Sequence, residues 1–436
     1  MPPERAEGAE GAASAGRAHS GIAVDIRPLR DRHFRRLWAG NGIAFIGFQL
    51  TSVAVSVQVY DITKSSFYVG LIGLVSLVPL IGFGLWGGSV ADAVDRRRLL
   101  LISSAAMWAV TWALFAQALA GIRNVTAILV LVAVQSAGFA VASPTRGAVV
   151  PRLLGRELIP AANTLTFTAS AVGMVAGPLI AGVVLGRGHH YSLAYGIDGV
   201  LFSLALLAAW QLPALPPLGE IARPGLRSVL GGLQFIAGRP VLLMSFVVDI
   251  IAMVLAMPRA LFPEVGEARF GGGAAVGWLY AAIAIGSVAG GLVSGWIGRV
   301  RRQGMALVVA IGAWGIAVAV SGLAHRLWVA VTLLAVAGAA DLVSGVFRQT
   351  ILQTYAPDEM RGRLQGVFIV VVAGGPRLGD LRAGATAAAF GVTTSWVAGG
   401  VLCVLAVLVA AACAPGFRRY DASAPAATDR SDTSPS

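Results

Sequence analysis

Residues 88–100 read GSVADAVDRRRLL, and the interpretation of the whole chain turns on them. They stand between two apolar runs, 67–90 and 99–120, each long enough to cross the hydrocarbon core of a bilayer. A turn that carries Asp92, Asp95, Arg96, Arg97 and Arg98 cannot remain in hydrocarbon, so the chain surfaces there. Three consecutive arginines in so short a connection mark the cytoplasmic side.

Composition agrees with a chain that crosses the membrane repeatedly. Of 436 residues 57% are hydrophobic and 12% charged, against about a quarter charged in soluble domains. The net charge of +12 raises the question of nucleic acid, but the placement of the basic residues answers it. Lys64 is the one lysine, and twenty-five of the thirty-three basic residues fall in the tails and one alternate set of loops. That asymmetry places both termini in the cytoplasm and requires no nucleic-acid partner. Cys403 and Cys413 lie ten residues apart in one run, roughly 15 Å along a helix and too far for a disulfide. With Thr63 before the single lysine no phosphate-binding loop can be built, so the chain carries no recognisable ATPase and implies no cofactor or metal.

Twelve apolar segments are expected, at about 37–60, 66–91, 99–120, 124–145, 163–185, 192–212, 240–262, 273–298, 304–323, 327–346, 364–389 and 394–415. They divide into two six-helix bundles, 27–212 and 240–417, around a cytoplasmic linker at 213–239. The tails at 1–26 and 418–436 lack apolar periodicity and are expected to be disordered. Residues 291–302, GLVSGWIGRVRR, echo the 88–98 loop six segments later, with Arg299 in the place of Asp92.

The pattern Gly88, Asp92, a short gap, then arginines resembles the loop between the second and third helices of the major facilitator superfamily. It departs from that pattern at Ala93, where a basic residue is usual, and at Asp95, where a glycine is. On the fifth segment Thr166, Ser170, Gly173 and Gly177 share a face and Pro178 follows, a stripe that lets two helices approach closely. Gly173-x-x-x-Gly177-Pro178 on the fifth of twelve helices resembles the antiporter motif of the superfamily's exporters. The runs PRLLGRELIPAANTL, DEMRGRLQG and GGPRLGDLRAG are similar to the enterobactin-exporter and drug-efflux branch, over residues 30–417. The resemblance implies an all-α membrane transporter, not an enzyme. It would act as a monomer by alternating access, with a small-molecule substrate, protons and the lipid bilayer as its partners. An ion-coupled importer and a non-transporting sensor or scaffold are the rival classes.

Site candidates follow from polarity inside apolar runs. Asn41, Gln49, Ser52 and Ser56 form a polar stripe on the first helix, which faces either a water-filled cavity or neighbouring helices. Gln135 belongs to a similar stripe on the fourth. Arg146 reads either as a cavity arginine or as the first basic residue of the following loop. Asp249, near the midplane of the seventh segment, and Asp341, within the tenth, are proton-coupling candidates because a lone intramembrane carboxylate is costly. Such a carboxylate can instead be paired with an arginine such as Arg377. Arg377 and Asp380, three residues apart, can pair at the cavity, whereas Arg382 is expected to snorkel to the outer interface.

Overall fold

The computed structural model describes residues 25–188, 190–216, 226–357 and 360–421; the side chains of 85–93, 226–230, 361–363 and 369 are not described. Twelve of its helices are long and apolar enough to cross a membrane. The first half comprises α1 (Arg32–Thr63), α2 (Ser66–Ala93), α3 (Arg96–Leu119), α4 (Val125–Leu153), α5 (Ile159–Leu185) and α6 (Tyr191–Trp210). A short helix α7 (Leu226–Ala237) precedes the second half. That half contains α8 (Pro240–Ala256), α9 (Phe262–Phe270), α10 (Gly273–Leu292), α11 (Gln303–Gly322), α12 (Leu327–Tyr355), α13 (Arg361–Phe390) and α14 (Val392–Cys413), followed by α15 (Pro415–Arg418).

Local chemistry sets the helix starts. Asp31, Asp95 and Asn124 each accept backbone N–H bonds from the first turn of the helix they precede, satisfying donors that have no partner within the helix. Gly271 and Gly272, with φ of 85° and 107°, make the tight reversal between α9 and α10 that a β-carbon would strain. α8 and α9 form a single span broken at Met257–Pro258. Arg382 caps that break, donating to the carbonyls of Val254 (3.2 Å) and Leu255 and, on α14, to that of Ser395 (3.3 Å). It therefore does not snorkel outward: the unpaired carbonyls of a broken helix are stronger acceptors than a distant interface.

Several helices run past the ends read from composition. α2 continues to Ala93, so Gly88 and Asp92 are helical and the turn shrinks to Val94 and Asp95. α4 extends to Leu153 and α12 to Tyr355, which places Arg146 and Arg348 inside helices and not in loops. A polar helix end needs no loop where it lines a cavity or meets a partner charge. Cys403 is buried and Cys413 exposed, both as free thiols. The tails at 1–24 and 422–436 and part of the linker, 217–225, lie outside the described residues.

The halves meet along two seams, α2 against α13 and α5 against α10. Both are built on glycine. A β-carbon on Gly73 would sit 2.6 Å from the carbonyl oxygen of Arg377, and one on Gly277 would sit 2.5 Å from that of Pro178 and 2.7 Å from the α-carbon of Gly182. Backbones this close exclude any larger residue. At the same end Lys64 pairs with Glu267 across the halves at 2.9 Å, and Ser66 donates to the Glu264 carboxylate. Towards the opposite end, where α1 begins and α14 finishes, none of these close glycine contacts between the halves recurs among the described residues. Around Gly82 and Gly84 on α2 and Gly366 on α13 a β-carbon would meet nothing within 4 Å. The halves are thus closed at one end and parted at the other.

Candidate functional site

Below the closed end lies a cavity of ≈210 Å³ walled by both halves. α1 contributes Phe48, Gln49, Ser52 and Ser56; α4 contributes Gln135; and α5 contributes Pro178. From the second half come Arg259, in the turn that follows the α8 break, Tyr280 of α10, and Arg377 and Asp380 of α13. The two arginines outnumber the one carboxylate, so the cavity carries a net positive charge. Tyr280 donates its hydroxyl to the Arg259 carbonyl (3.1 Å), which ties the broken span to α10. Asp380 keeps one buried oxygen, Oδ1, without a hydrogen-bond partner. The expected pairing of Asp380 with Arg377 does not form among the described residues: Arg377 turns back on its own helix and donates to the Ala373 carbonyl at 2.5 Å.

Five of the six residues expected to face a substrate cavity line this one: Gln49, Ser52, Gln135, Arg377 and Asp380. Asn41 lies elsewhere, in a second cavity of ≈280 Å³ between α1, α4 and α5 that also holds Arg146. The glycine stripe of α5 divides its contacts. Gly173 packs on Phe45 of α1, and a β-carbon on Gly177 would stand 2.5 Å from that of Gln49; Pro178 and Gly182 face α10 across the seam.

Neither of the two carboxylates read as proton-coupling candidates is among the residues lining these cavities. Asp249 is not alone. Arg348, on α12, forms an ion pair with it, the two side chains being 2% and 6% exposed. No sequence spacing connects α8 to α12, so this partner was invisible in the chain, and the arginine available in the sequence, Arg377, is occupied elsewhere. Asp341 is half-buried on the same face of α12 as Arg348, two turns away. A third carboxylate, Asp198 of α6, escaped the sequence reading. It is fully buried in the first half and accepts hydrogen bonds from Thr51 (2.7 Å) and Thr111 (3.3 Å). Its signal was the one that singled out Asp249, an acidic residue well inside an apolar run. Arg259 escaped as well, because the break between α8 and α9 that brings it to the cavity was not foreseen.

The 88–100 connection makes its described contacts within the first half. Asp95 accepts from the N–H groups of Arg97 (2.8 Å) and Arg98 (3.2 Å). Arg96 reaches the Ala148 carbonyl of α4 (3.2 Å), and Arg97 reaches the Trp210 carbonyl of α6 (2.6 Å). The side chain of Asp92 lies outside the described residues, and the same holds for the surroundings of Gly88.

Comparison with known proteins agrees with this architecture. The profile of a family described as transmembrane secretion effector matches residues 23–432. The enterobactin exporter EntS of Shigella boydii serotype 18 is 28% identical over 378 residues, covering 86% of this chain and 90% of that protein. The enterobactin exporter EntS of Escherichia coli O139:H28 matches to the same extent. Among solved structures, the nucleoside transporter NupG superposes with a TM-score of 0.72 at 12% identity, over 89% of this chain and 100% of that one. A bacterial homologue of the human lysosomal transporter Spinster, inward-facing and unoccupied, gives 0.65 at 16% identity over 90% and 97%. At such identity these two structures speak for the fold alone. With a family profile spanning nearly the whole chain and twelve helices in two halves around a shared cavity, the chain belongs to the transmembrane secretion effector family of major facilitator transporters.

Proposed function

We propose that this transporter is a secondary active exporter that moves an amphipathic small molecule, a siderophore or a drug-like compound, out across the cytoplasmic membrane in exchange for protons. The observation that carries the reading is the cavity between the halves, sealed at one end by glycine-packed seams and parted at the other. With both termini in the cytoplasm, the basic loops follow the positive-inside rule and the open end faces inward, where an exporter loads. The family description and the relatives named as enterobactin exporters support the outward direction.

Two halves that rock about a fixed central site would expose it alternately to each side. Asp380 is the proton carrier in this reading. It faces the cavity and has an oxygen without a partner, whereas Asp249 is engaged by Arg348. A proton would load on Asp380 with the cavity open outward and leave it with the cavity open inward, as substrate moves the opposite way. Gln49, Gln135 and Arg377 offer polar groups in walls otherwise tolerant of apolar bodies. Metabolite profiling of cells and medium, with and without the gene, tests the reading. An exporter's deletion retains a compound in the cells and depletes it from the medium. The converse pattern would make the protein an importer, and no change would leave it a sensor or scaffold.

A further inference from the structure

The second cavity sets rings, Trp38, Phe45 and Phe139 among them, beside neutral polar side chains such as Asn41, Ser143 and Asn163, and carries a single charge. Arg146 stands on α4, about 10 Å from the helix end at Leu153. Its Nε is buried without a partner, and among the described residues no hydrogen bond or ion pair reaches its guanidinium. None of the residues lining the cavity is acidic. Arg146 is partly buried, and among the described residues lining the cavity nothing supplies the counter-charge that a guanidinium inside a membrane helix calls for.

The walls define what would. Phe45 and Phe139 line the cavity, and the ring of Phe48 stands between theirs. Centroids are 6.3 Å apart from Phe45 to Phe48 and 5.5 Å from Phe48 to Phe139, with planes within 22° and 13° of parallel. Phe48 also lines the central cavity, so this stack is the partition between the two spaces. Trp38 is held at the wall by donating its indole N–H to the Leu165 carbonyl at 3.0 Å. Flat apolar faces beside one guanidinium select a flat, negatively charged guest.

We propose that this cavity binds an aromatic anion, its acidic group pairing with Arg146 and its ring lying against Trp38 and Phe139, with the Phe48 ring between it and the central cavity. It is a separate station from the central one and stands whichever way the transporter runs. A planar guanidinium meets a carboxylate through two parallel N–H donations, which a neutral amide cannot reproduce.

Calorimetric titration of the purified full chain in phosphatidylcholine nanodiscs tests this, with empty discs subtracted. The probes are naphthalene-2-carboxylate and the uncharged naphthalene-2-carboxamide. The carboxylate should bind at least ~10-fold more tightly, equivalent to about 1.4 kcal/mol. Arg146→Gln should abolish that preference, Arg146→Lys should keep part of it, and Gln49→Ala in the central cavity should leave it intact. Equal binding of the two probes to the parent protein overturns the proposal even if no variant folds. Absence of carboxylate binding, or a preference that survives Arg146→Gln, does the same. Loss of the carboxylate signal when phosphatidylglycerol discs replace phosphatidylcholine would assign the guanidinium to a lipid headgroup and overturn it too. Because nothing is transported in this assay, its failure leaves the export reading standing, and a failure of export leaves the binding result standing.

Discussion

Replacing Asp249 by Asn removes the charge that Arg348 faces and almost none of the volume. Both side chains are nearly inaccessible, at 2% and 6%, so water and salt do not screen the pair. Breaking a buried ion pair by removing one partner costs about 3–5 kcal/mol, most of it the price of the stranded charge. Two features set the expectation at the lower end, about 3 kcal/mol: Asn can still accept one hydrogen bond, and the Phe368 ring lies 5.7 Å from the guanidinium carbon. Removing both charges, as Asp249→Leu with Arg348→Met, strands nothing and should cost less than about 1 kcal/mol. Reversible unfolding in mixed micelles of the parent, each single variant and the double variant gives the coupling energy directly. Near-additive losses, or a loss below about 1 kcal/mol for Asp249→Asn, would refute the reasoning. The same series separates a packing role from a coupling role. If the pair only holds α8 to α12, the double variant concentrates substrate against a pH gradient as well as the parent does.

Gly177→Leu should lower stability by about 1–3 kcal/mol and abolish transport while leaving the protein in the membrane, because even a β-carbon there stands 2.5 Å from that of Gln49; quantitative immunoblotting beside a transport assay checks it, and unchanged export would demote the stripe to inert packing. At the closed end, Lys64 and Glu267 are half-exposed, so their pair is worth about 0.2–1 kcal/mol, and Glu267→Gln should shift the closed population by no more than about fivefold. Hydrogen bonds to Glu267, and then to Asp61, raise the Lys64 ammonium above its ordinary 10.5. That contribution is therefore complete at neutral pH and is lost only as pH rises through the raised value, so spin-label distances between Arg123→Cys and Arg326→Cys should not change between about pH 6 and pH 9. Reporter fusions after Arg98, Arg156, Arg302 and Arg363 should face the cytoplasm and fusions near Lys64, Arg123 and Arg187 the outside; two successive fusions on one side would break the twelve-span topology.

Periodicity and charge placement made the helices legible, since a segment that must satisfy its backbone in lipid has one option. The small-residue stripe on α5 was legible for a similar reason: close approach leaves glycine little alternative, and Gly177 does meet α1. Ends of helices were harder. Arg146 left two readings open and Arg348 was not singled out, because composition registers a charge but not the cavity or the partner that allows it inside a helix. Pairings between distant segments were out of reach altogether. Nothing in the chain says that Asp249 meets Arg348, that Arg377 turns to Ala373 and away from Asp380, or that Arg382 holds the end of a broken helix. Gln49, Ser52 and Gln135 were found because stripes on a helix point one way, Arg377 and Asp380 because they are charges inside an apolar run, and Asn41 left the group because its stripe spans two cavities.

The most direct test of proton-driven export uses everted membrane vesicles and the compound that cells lacking the gene retain. With an imposed gradient, acid inside, the vesicles should concentrate that compound, a protonophore should collapse the uptake, and Asp380→Asn should permit only downhill equilibration. Concentrative uptake that survives the protonophore, or that Asp380→Asn sustains at the parent's level, would contradict the account.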